Sequence, residues 1–115
     1  MRRSWQSLRP RAEFLNVQNN GKKWVTPAFL FFYLPDSDPA KVGFTATKKL
    51  GGAVIRNRIR RRLKAAADQF APTEGKMVFI ARPEALTRDL EILVKDMRWA
   101  MRKVKEIKES NEKAQ

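Results

Sequence analysis

Residues 42–66 have the sequence VGFTATKKLGGAVIRNRIRRRLKAA, which contains the most informative pattern of the chain. Its first part, residues 42–47, alternates in a pattern typical of a strand. Gly51 and Gly52 then interrupt the chain. A helix is predicted to follow over residues 53–69. We therefore expect a strand–turn–helix unit in which the helix begins directly after the glycine pair.

The turn and the helix carry a dense run of positive charge. Between Lys48 and Lys64 no acidic residue occurs. The basic residues of this run are Lys48, Lys49, Arg56, Arg58, Arg60, Arg61, Arg62 and Lys64. A solvated helix face is the simplest explanation of a charge run, but such faces usually mix both signs. The run therefore favours a surface that binds a polyanion.

Helical geometry divides this helix into two sides. At about 100° per residue, the apolar side chains share one stripe. That stripe consists of Ile55, Ile59, Leu63, Ala66 and Phe70. The opposite face holds Asn57, Arg60, Arg61 and Lys64, with Arg56, Arg58 and Arg62 on the flanks. Guanidinium groups match phosphate oxygens, and an asparagine amide can contact a base edge or a 2′-hydroxyl. We expect one side to be buried and the other to face nucleic acid.

Composition points to the same class of partner. The chain has 115 residues, a length that favours one domain over residues 1–115, and a formal net charge of +13. Such a charge predicts nucleic acid as the partner first and an anionic membrane surface second. Cysteine and histidine are both absent. Disulfides and thiolate metal sites are therefore excluded, and the commonest general acid–base group is missing. We predict no catalytic residue and no metal site in the protein.

Hydropathy gives no sign of a membrane protein. No apolar run approaches the roughly 20 residues that a membrane span needs. No apolar stretch of signal-peptide length follows the basic N-terminus. We therefore predict a cytoplasmic protein without a membrane partner.

Apolar periodicity and turn residues predict the remaining elements. They are a helix from Pro10 to the Asn19-Asn20-Gly21 stop, strands at 22–25, 28–34 and 77–81, a turn at 36–39, and a helix from Thr87 to about 107. The core stripe of the last helix is predicted to be Leu90, Leu93, Met97, Met101, Val104 and Ile107. The order αβββαβα predicts an α+β two-layer sandwich with helices against a four-stranded sheet. About residues 1–8 and 108–115 are expected to be flexible tails.

The predicted strand over residues 28–34 has two apolar faces. Phe29, Phe31 and Tyr33 share one face, and Leu30, Phe32 and Leu34 share the other. One alternative is that both faces are core. The other is that one face is an aromatic shelf for single-stranded RNA, with Phe14 on the first helix as the opposite wall. The residues alone leave both alternatives open.

Residues 42–66 resemble the signature of the bacterial-type ribonuclease P protein subunit. The matching positions are Lys48-Lys49, Gly51, Ala53-Val54, Arg56-Asn57-Arg58, Arg60, Arg61 and Lys64. Upstream, Arg11, Phe14 and Val17 are similar to the first helix of the family, and Val78, Ile80, Ala81 and Arg82 are similar to its last strand. The resemblance covers roughly residues 8 to 105. Two positions depart from it, because Gly52 stands where asparagine is usual and Gln18 where many members have a second aromatic residue.

The resemblance implies a fold, partners and site residues. The fold would have a left-handed βαβ crossover and be ribosomal protein S5 domain 2-like. The partners would be a catalytic RNA and precursor tRNA, with the protein a monomer in the holoenzyme. Lys48, Lys49, Arg56, Asn57, Arg58, Arg60, Arg61 and Lys64 would contact RNA. A cleft lined by Phe14, Phe32, Thr45 and Thr47, with Arg60 near its rim, would hold the 5′ leader. The RNA would perform the cleavage with Mg²⁺ that it holds itself, and no organic cofactor is implied.

Three other functions fit parts of the sequence. A ribosomal or other structural RNA-binding protein would also be small and basic. A DNA-binding helix is a second alternative, although the aromatic strand favours unpaired nucleic acid over a duplex. A nuclease that acts without RNA is disfavoured by the missing acid–base groups.

Overall fold

The structure, a computed structural model, describes residues 5–8, 10–70 and 74–114. Its elements in chain order are β1 (Gln6–Ser7), α1 (Arg11–Asn20), β2 (Lys22–Val25), β3 (Phe29–Pro39), β4 (Lys41–Thr45), a 3₁₀ turn (Lys48–Leu50), α2 (Ala53–Ala67), β5 (Glu74–Ala81), α3 (Glu84–Thr87) and α4 (Leu90–Ala114). The predicted α+β class is confirmed. In these described ranges, no helix combines the length and apolarity that crossing a membrane requires.

The sheet is mixed and is centred on β5. Within the described residues it has five strands in the order β1-β4-β5-β3-β2. β5 is antiparallel to β3 and parallel to β4. Because β4 and β5 are parallel, the chain must cross over between them, and α2 lies in that crossover. The left hand of the crossover stays a prediction from the family resemblance.

The N-terminal segment over residues 5–8 belongs to the sheet and is not a flexible tail. Gln6 and Ser7 pair in parallel with β4 and add one strand to the predicted four. Trp5 packs edge-on against Phe44, with 5.7 Å between the ring centroids. Leu8 is buried beneath α1. These two apolar side chains anchor the segment on opposite faces of the sheet, which corrects the prediction. Residues 1–4 of the predicted tail lie outside the described residues.

The acidic segment after the aromatic run is part of β3, although its residue types predicted a turn. β3 continues through Pro39, with a register shift against β5 between Leu34 and Pro39. Asp36 accepts a hydrogen bond from the Asp38 N–H at 3.0 Å and forms an ion pair with Lys76 at 3.4 Å. The turn-forming residues are therefore accommodated in an irregularity of a continuous strand.

The start and end of the last helix also differ from prediction. Thr87 ends the short helix α3 and does not cap α4. At the start of α4, the Leu93 N–H donates a helical hydrogen bond to the Asp89 carbonyl at 2.9 Å. Arg62 of α2 donates to the carbonyl of Ala85 within α3 and to that of Arg88 directly after it. This long-range contact satisfies carbonyls at the break, and no local pattern predicts it. α4 then continues past 107 to Ala114, so most of the predicted C-terminal tail is helical.

Apolar side chains cover both faces of β3. Phe29, Phe31 and Tyr33 belong to the larger core, which α2 and α4 also form. Phe32 lies on the other face in a smaller cluster with Leu8, Val17 and Val78. The alternation of the strand is confirmed, and the alternative with core on both faces describes Phe29, Phe31, Tyr33 and Phe32.

The two predicted helix stripes pack against the larger core. In α2, Ile59, Leu63 and Ala66 are buried, while Ile55 and Phe70 are partly buried. In α4, Leu93, Met97 and Val104 are buried, and Met101 and Ile107 are partly buried. Leu90 is 43% exposed, because α4 begins at this residue and its first turn extends beyond the core.

Candidate nucleic-acid interface

The outer side of α2 presents the predicted cationic face. Asn57, Arg58 and Arg61 are exposed, whereas Arg56, Arg60 and Lys64 are partly buried. Partial burial is expected for long basic side chains, whose apolar stems lie along a surface while the charged ends reach solvent. The division of α2 into a buried stripe and a cationic face is therefore confirmed.

The positive charges of this face have no acidic partners in the described part of the chain. The ion pairs there are Lys41–Glu13, Lys76–Asp36, Arg88–Glu84, Arg88–Asp96 and Lys103–Glu106. None involves α2 or the two lysines before it. The summed field of these cations is thus available to a polyanion, which would release its condensed counterions on binding.

Asn57 organises its neighbours on the helix surface. Its Oδ1 accepts a hydrogen bond from the Arg60 guanidinium, and the Arg61 Nε approaches the Asn57 carbonyl at 3.5 Å. One asparagine therefore orients two guanidinium groups one turn further along α2. This role adds to the base or ribose contact that its residue type predicts.

The turn before α2 places Lys48 and Lys49 at the surface. Both are exposed in the 3₁₀ turn, and Gly51 follows with φ of 139°, a conformation that L side chains rarely adopt. Gly52 precedes α2 in an extended conformation, and a Cβ there would meet nothing within 4 Å. The turn thus requires glycine at 51 but not at 52.

A cavity lies between the cationic face of α2 and the β1–β4 edge of the sheet. We call it the α2 cavity, and its volume is about 320 Å³. It is lined by Ser7, Leu8, Val42, Gly43, Phe44, Asn57, Arg60, Arg61 and Lys64. Sequence reasoning missed Ser7 and Leu8 because the N-terminal segment was expected to be loose. The two apolar residues Trp5 and Leu8 in that basic segment were the available signal.

A second cavity lies between α1 and the ends of β4 and β5. We call it the α1 cleft, and its volume is about 340 Å³. It is lined by Arg11, Phe14, Leu15, Gln18, Thr45, Thr47 and Ile80. The structure thus brings together three of the four predicted cleft residues, namely Phe14, Thr45 and Thr47.

Phe32, the fourth predicted cleft residue, does not line the α1 cleft. Only 7% of it is exposed, within the cluster beneath α1. The Lys23 ammonium lies 5.8 Å from the centroid of its ring. Phe32 therefore supports the layer beneath the cleft, because its position in the middle of β3 is covered by α1.

Arg60 lines the α2 cavity and not the rim of the α1 cleft, which corrects its predicted position. The two cavities approach each other at Gly43. A Cβ built on Gly43 would lie 2.4 Å from Cζ of Phe14, so the Phe14 ring rests on the bare backbone of β4. Gly43 also lines the α2 cavity. One strand residue therefore separates the cationic and the aromatic parts of the interface.

Helical spacing could have identified more of the α1 cleft. Arg11 and Gln18 stand three and four residues from Phe14, so they share its side of α1. Leu15 stands four residues from Arg11 and three from Gln18, which places it beside them. Gln18, one of the two departures from the family pattern, is thus a cleft residue. Ile80 lies opposite Thr45 in the β4–β5 register, which only the sheet topology reveals.

The side chains of both cavities are of kinds that bind nucleic acid. Among the described residues, no cluster of three His, Cys, Asp or Glu side chains could hold a metal ion. Burial raises the pKa of the Tyr33 hydroxyl, and the carboxylates of Glu74 and Asp36 raise it further. Tyr33 lines neither cavity. Cations, an aromatic ring and threonine hydroxyls suit a flexible, anionic, unpaired strand.

Known proteins of one family match most of this chain. The family model described as Ribonuclease P matches residues 3–105. The ribonuclease P protein component of Gluconacetobacter diazotrophicus is 44% identical over 102 residues, which cover 84% of this chain and 88% of that protein. The corresponding component of Nitratiruptor sp. is 37% identical over 102 residues, which cover 87% and 93%.

Solved structures share the fold. The RNase P protein from Staphylococcus aureus superposes with a TM-score of 0.74 at 20% identity, covering 86% of this chain and 94% of that one. The RNase P protein from Thermotoga maritima gives 0.68 at 22% identity, covering 78% and 89%. Because the family model and these relatives match most of its length, this chain belongs to the ribonuclease P protein family.

Proposed function

We propose that this ribonuclease P protein binds the catalytic RNA through α2 and the turn before it, and holds the 5′ leader of precursor tRNA in the α1 cleft. The observation that carries the proposal is the cationic face of α2, which lacks acidic partners among the described residues and lies beside an aromatic cleft. The predicted RNA contacts are Lys48, Lys49, Arg56, Asn57, Arg58, Arg60, Arg61 and Lys64. The membership in the family supports this assignment.

The α1 cleft has the composition that an unpaired leader requires. Phe14 offers a ring for base stacking, which is worth about 1–3 kcal/mol per base with little sequence preference. Thr45 and Thr47 offer hydroxyl groups that donate and accept hydrogen bonds. Arg11 supplies a cation for a phosphate. A leader held here would distinguish precursor tRNA from the mature product, which lacks it.

We assign the cleavage step to the RNA, with Mg²⁺ held mainly by that RNA supplying the activated water. The α2 face itself offers no carboxylate oxygen to such an ion, because residues 48–64 contain no acidic side chain. The protein would contribute leader binding and would screen repulsion between the two RNAs. Its enzymatic role is thus that of an accessory subunit, acting as a monomer in the cytoplasm.

Reconstitution at low Mg²⁺ tests this proposal. Precursor tRNA cleavage by the catalytic RNA is measured with and without the polypeptide, and with the polypeptide alone. We expect strong stimulation of the RNA at low Mg²⁺ and no cleavage by the protein alone. Unchanged RNA activity would favour a structural RNA-binding role instead, and cleavage by RNA-free protein would place catalysis in the polypeptide.

A further inference from the structure

A groove runs between α4 and the β2 edge of the sheet, on the face opposite α1. Trp24 of β2 stacks on Phe31 of the larger core with 5.3 Å between the ring centroids, so it lies on the α4 side of the sheet. The Lys22 ammonium lies 5.6 Å from the centroid of the Trp24 ring. Both tryptophans of this region, Trp24 and Trp99, are only partly buried. We call this region the α4 groove.

Two neighbouring cavities make up the α4 groove. One, of about 570 Å³, includes Lys22, Trp24 and Lys103 in its lining. The other, of about 360 Å³, includes Lys95, Trp99 and Arg102. The Lys103 ammonium lies 5.4 Å from the centroid of the Trp99 ring, so one side chain links the two cavities along α4.

The charge of the α4 groove is positive. Its two carboxylates already have cationic partners, because Asp96 pairs with Arg88 at 2.8 Å and Glu106 pairs with Lys103 at 3.4 Å. Three further cations of the lining form no ion pair within the described residues. They are Lys22, Lys95 and Arg102. The groove therefore combines accessible indole rings with uncompensated positive charge.

We propose that the α4 groove binds single-stranded RNA, with bases stacking on Trp24 and Trp99 and phosphates held by the surrounding cations. Aromatic platforms within a cationic groove are the arrangement that retains unpaired strands, and the cations add to stacking through their own attraction to the rings. The site is distinct from the α1 cleft, because α1 covers the other face of the sheet. The protein would therefore contact RNA on both faces.

Tryptophan fluorescence of the full-length chain tests this site directly. Trp5→Phe combined with Trp24→Phe leaves Trp99 as the single tryptophan, since the chain contains three. An oligouridylate is titrated into this protein at several salt concentrations. We expect saturable quenching of Trp99, and weaker quenching at equal concentration of a duplex RNA, whose bases are already stacked.

Charge variants on α4 distinguish RNA binding in the groove from the general attraction of RNA to a positively charged protein. Arg102→Gln with Lys103→Gln should weaken oligouridylate binding several-fold and lower its log–log salt slope by up to about 1.4, since each lost phosphate contact removes about 0.7. Arg98→Gln with Lys105→Gln removes the same charge from exposed residues that do not line the groove. This matched control should bind almost as the parent does, and circular dichroism checks that both variants are folded.

Three outcomes would overturn the proposal. The first is an unchanged Trp99 signal at saturating oligouridylate. The second is an equal loss of affinity in the two charge variants, which would reflect net charge alone. The third is a Trp99 signal that changes with protein concentration in the absence of RNA, which would make a second copy of this chain the occupant.

Discussion

Phe14 is the residue at which the α1 cleft comes next to the α2 cavity. Its ring lies on Gly43, whose missing side chain lets the ring reach the β4 backbone. The same ring lines the α1 cleft beside Thr45 and Thr47. Phe32, which the family resemblance assigned to the cleft, lies in the layer beneath. Substitutions at these two phenylalanines should therefore affect different properties.

Phe14→Leu should weaken binding of precursor tRNA to the holoenzyme by about 1–3 kcal/mol and leave binding of mature tRNA unchanged, because leucine keeps apolar volume but offers no ring for stacking. Equilibrium binding of the two RNAs measures the difference. Phe32→Ala is the contrasting variant, and we expect it to cost about 3–5 kcal/mol of folding free energy through loss of core packing. If Phe14→Leu weakened the binding of precursor and mature tRNA equally, Phe14 would not be part of the leader site.

Tyr33 should make stability sensitive to alkaline pH. Burial raises the pKa of its hydroxyl above the ordinary value of 10.0, and Glu74 and Asp36 raise it further. Because the folded pKa exceeds the unfolded one, this contribution to stability is complete below about pH 10 and is lost as pH rises through the folded pKa. Urea denaturation across that range should show a steeper decline for the parent than for Tyr33→Phe. Parallel curves would contradict the assignment.

Among the secondary-structure elements, the glycine turn and α2 together carry the proposed contacts with the catalytic RNA. Gly52 stands directly before α2 and supplies no side-chain cap, whereas the family resemblance implied an asparagine at this position. The turn survives this departure, because the positive φ that requires glycine belongs to Gly51. Asn57 and its two arginines then follow within the first turns of the helix. The helix start therefore sets the position of the residues that are proposed to contact RNA.

Gly52→Asn should stabilise the protein by a few tenths of a kcal/mol, because an asparagine side chain can cap the free N–H groups of α2 and meets no neighbour at this position. Gly51→Ala should destabilise it by about 1 kcal/mol or more, because the backbone there has a positive φ. Thermal denaturation compares the two variants with the parent. A lower melting temperature for Gly52→Asn than for the parent would contradict the prediction that asparagine caps α2 at this position.

The charge of the whole molecule is distributed unevenly between its surfaces. The formal net charge is +13, and none of the ion pairs between described residues involves a basic residue of the α2 face. Self-repulsion of this kind opposes compact folding and favours a bound polyanion. Affinity for RNA should therefore fall steeply with salt, and the decline should depend on which cations are removed.

Arg58→Ala and Arg61→Ala should each weaken binding to the catalytic RNA and reduce the log–log salt slope by up to about 1, because each exposed side chain is proposed to contact a phosphate. Filter binding of the parent and both variants at several salt concentrations measures the slopes. Arg98→Ala on α4 is the matched control and should retain the parental slope. Unchanged slopes in both α2 variants would exclude these residues from the RNA contact.

The amphipathic division of α2, the glycine turn, the alternation of β3 and the family signature could all be predicted from the amino-acid sequence alone. These features depend on neighbours within a few residues, where the helix and strand periods fix which side chains share a face. Through the family resemblance, the sequence also predicted that Phe14, Thr45 and Thr47 line one cleft, as they do in the structure.

The pairing of β1 with β4, the burial of Phe32, the α2 cavity and the hydrogen bonds from Arg62 to the carbonyls of Ala85 and Arg88 appear only in the three-dimensional structure. Each of these depends on contacts between segments distant in the chain. A short strand such as β1 has no stable structure until its partner is in place, and which side of a two-faced apolar strand is covered depends on where the helices pack. The local periodicity of the sequence therefore predicts neither the pairing of β1 nor the face of β3 that the helices cover.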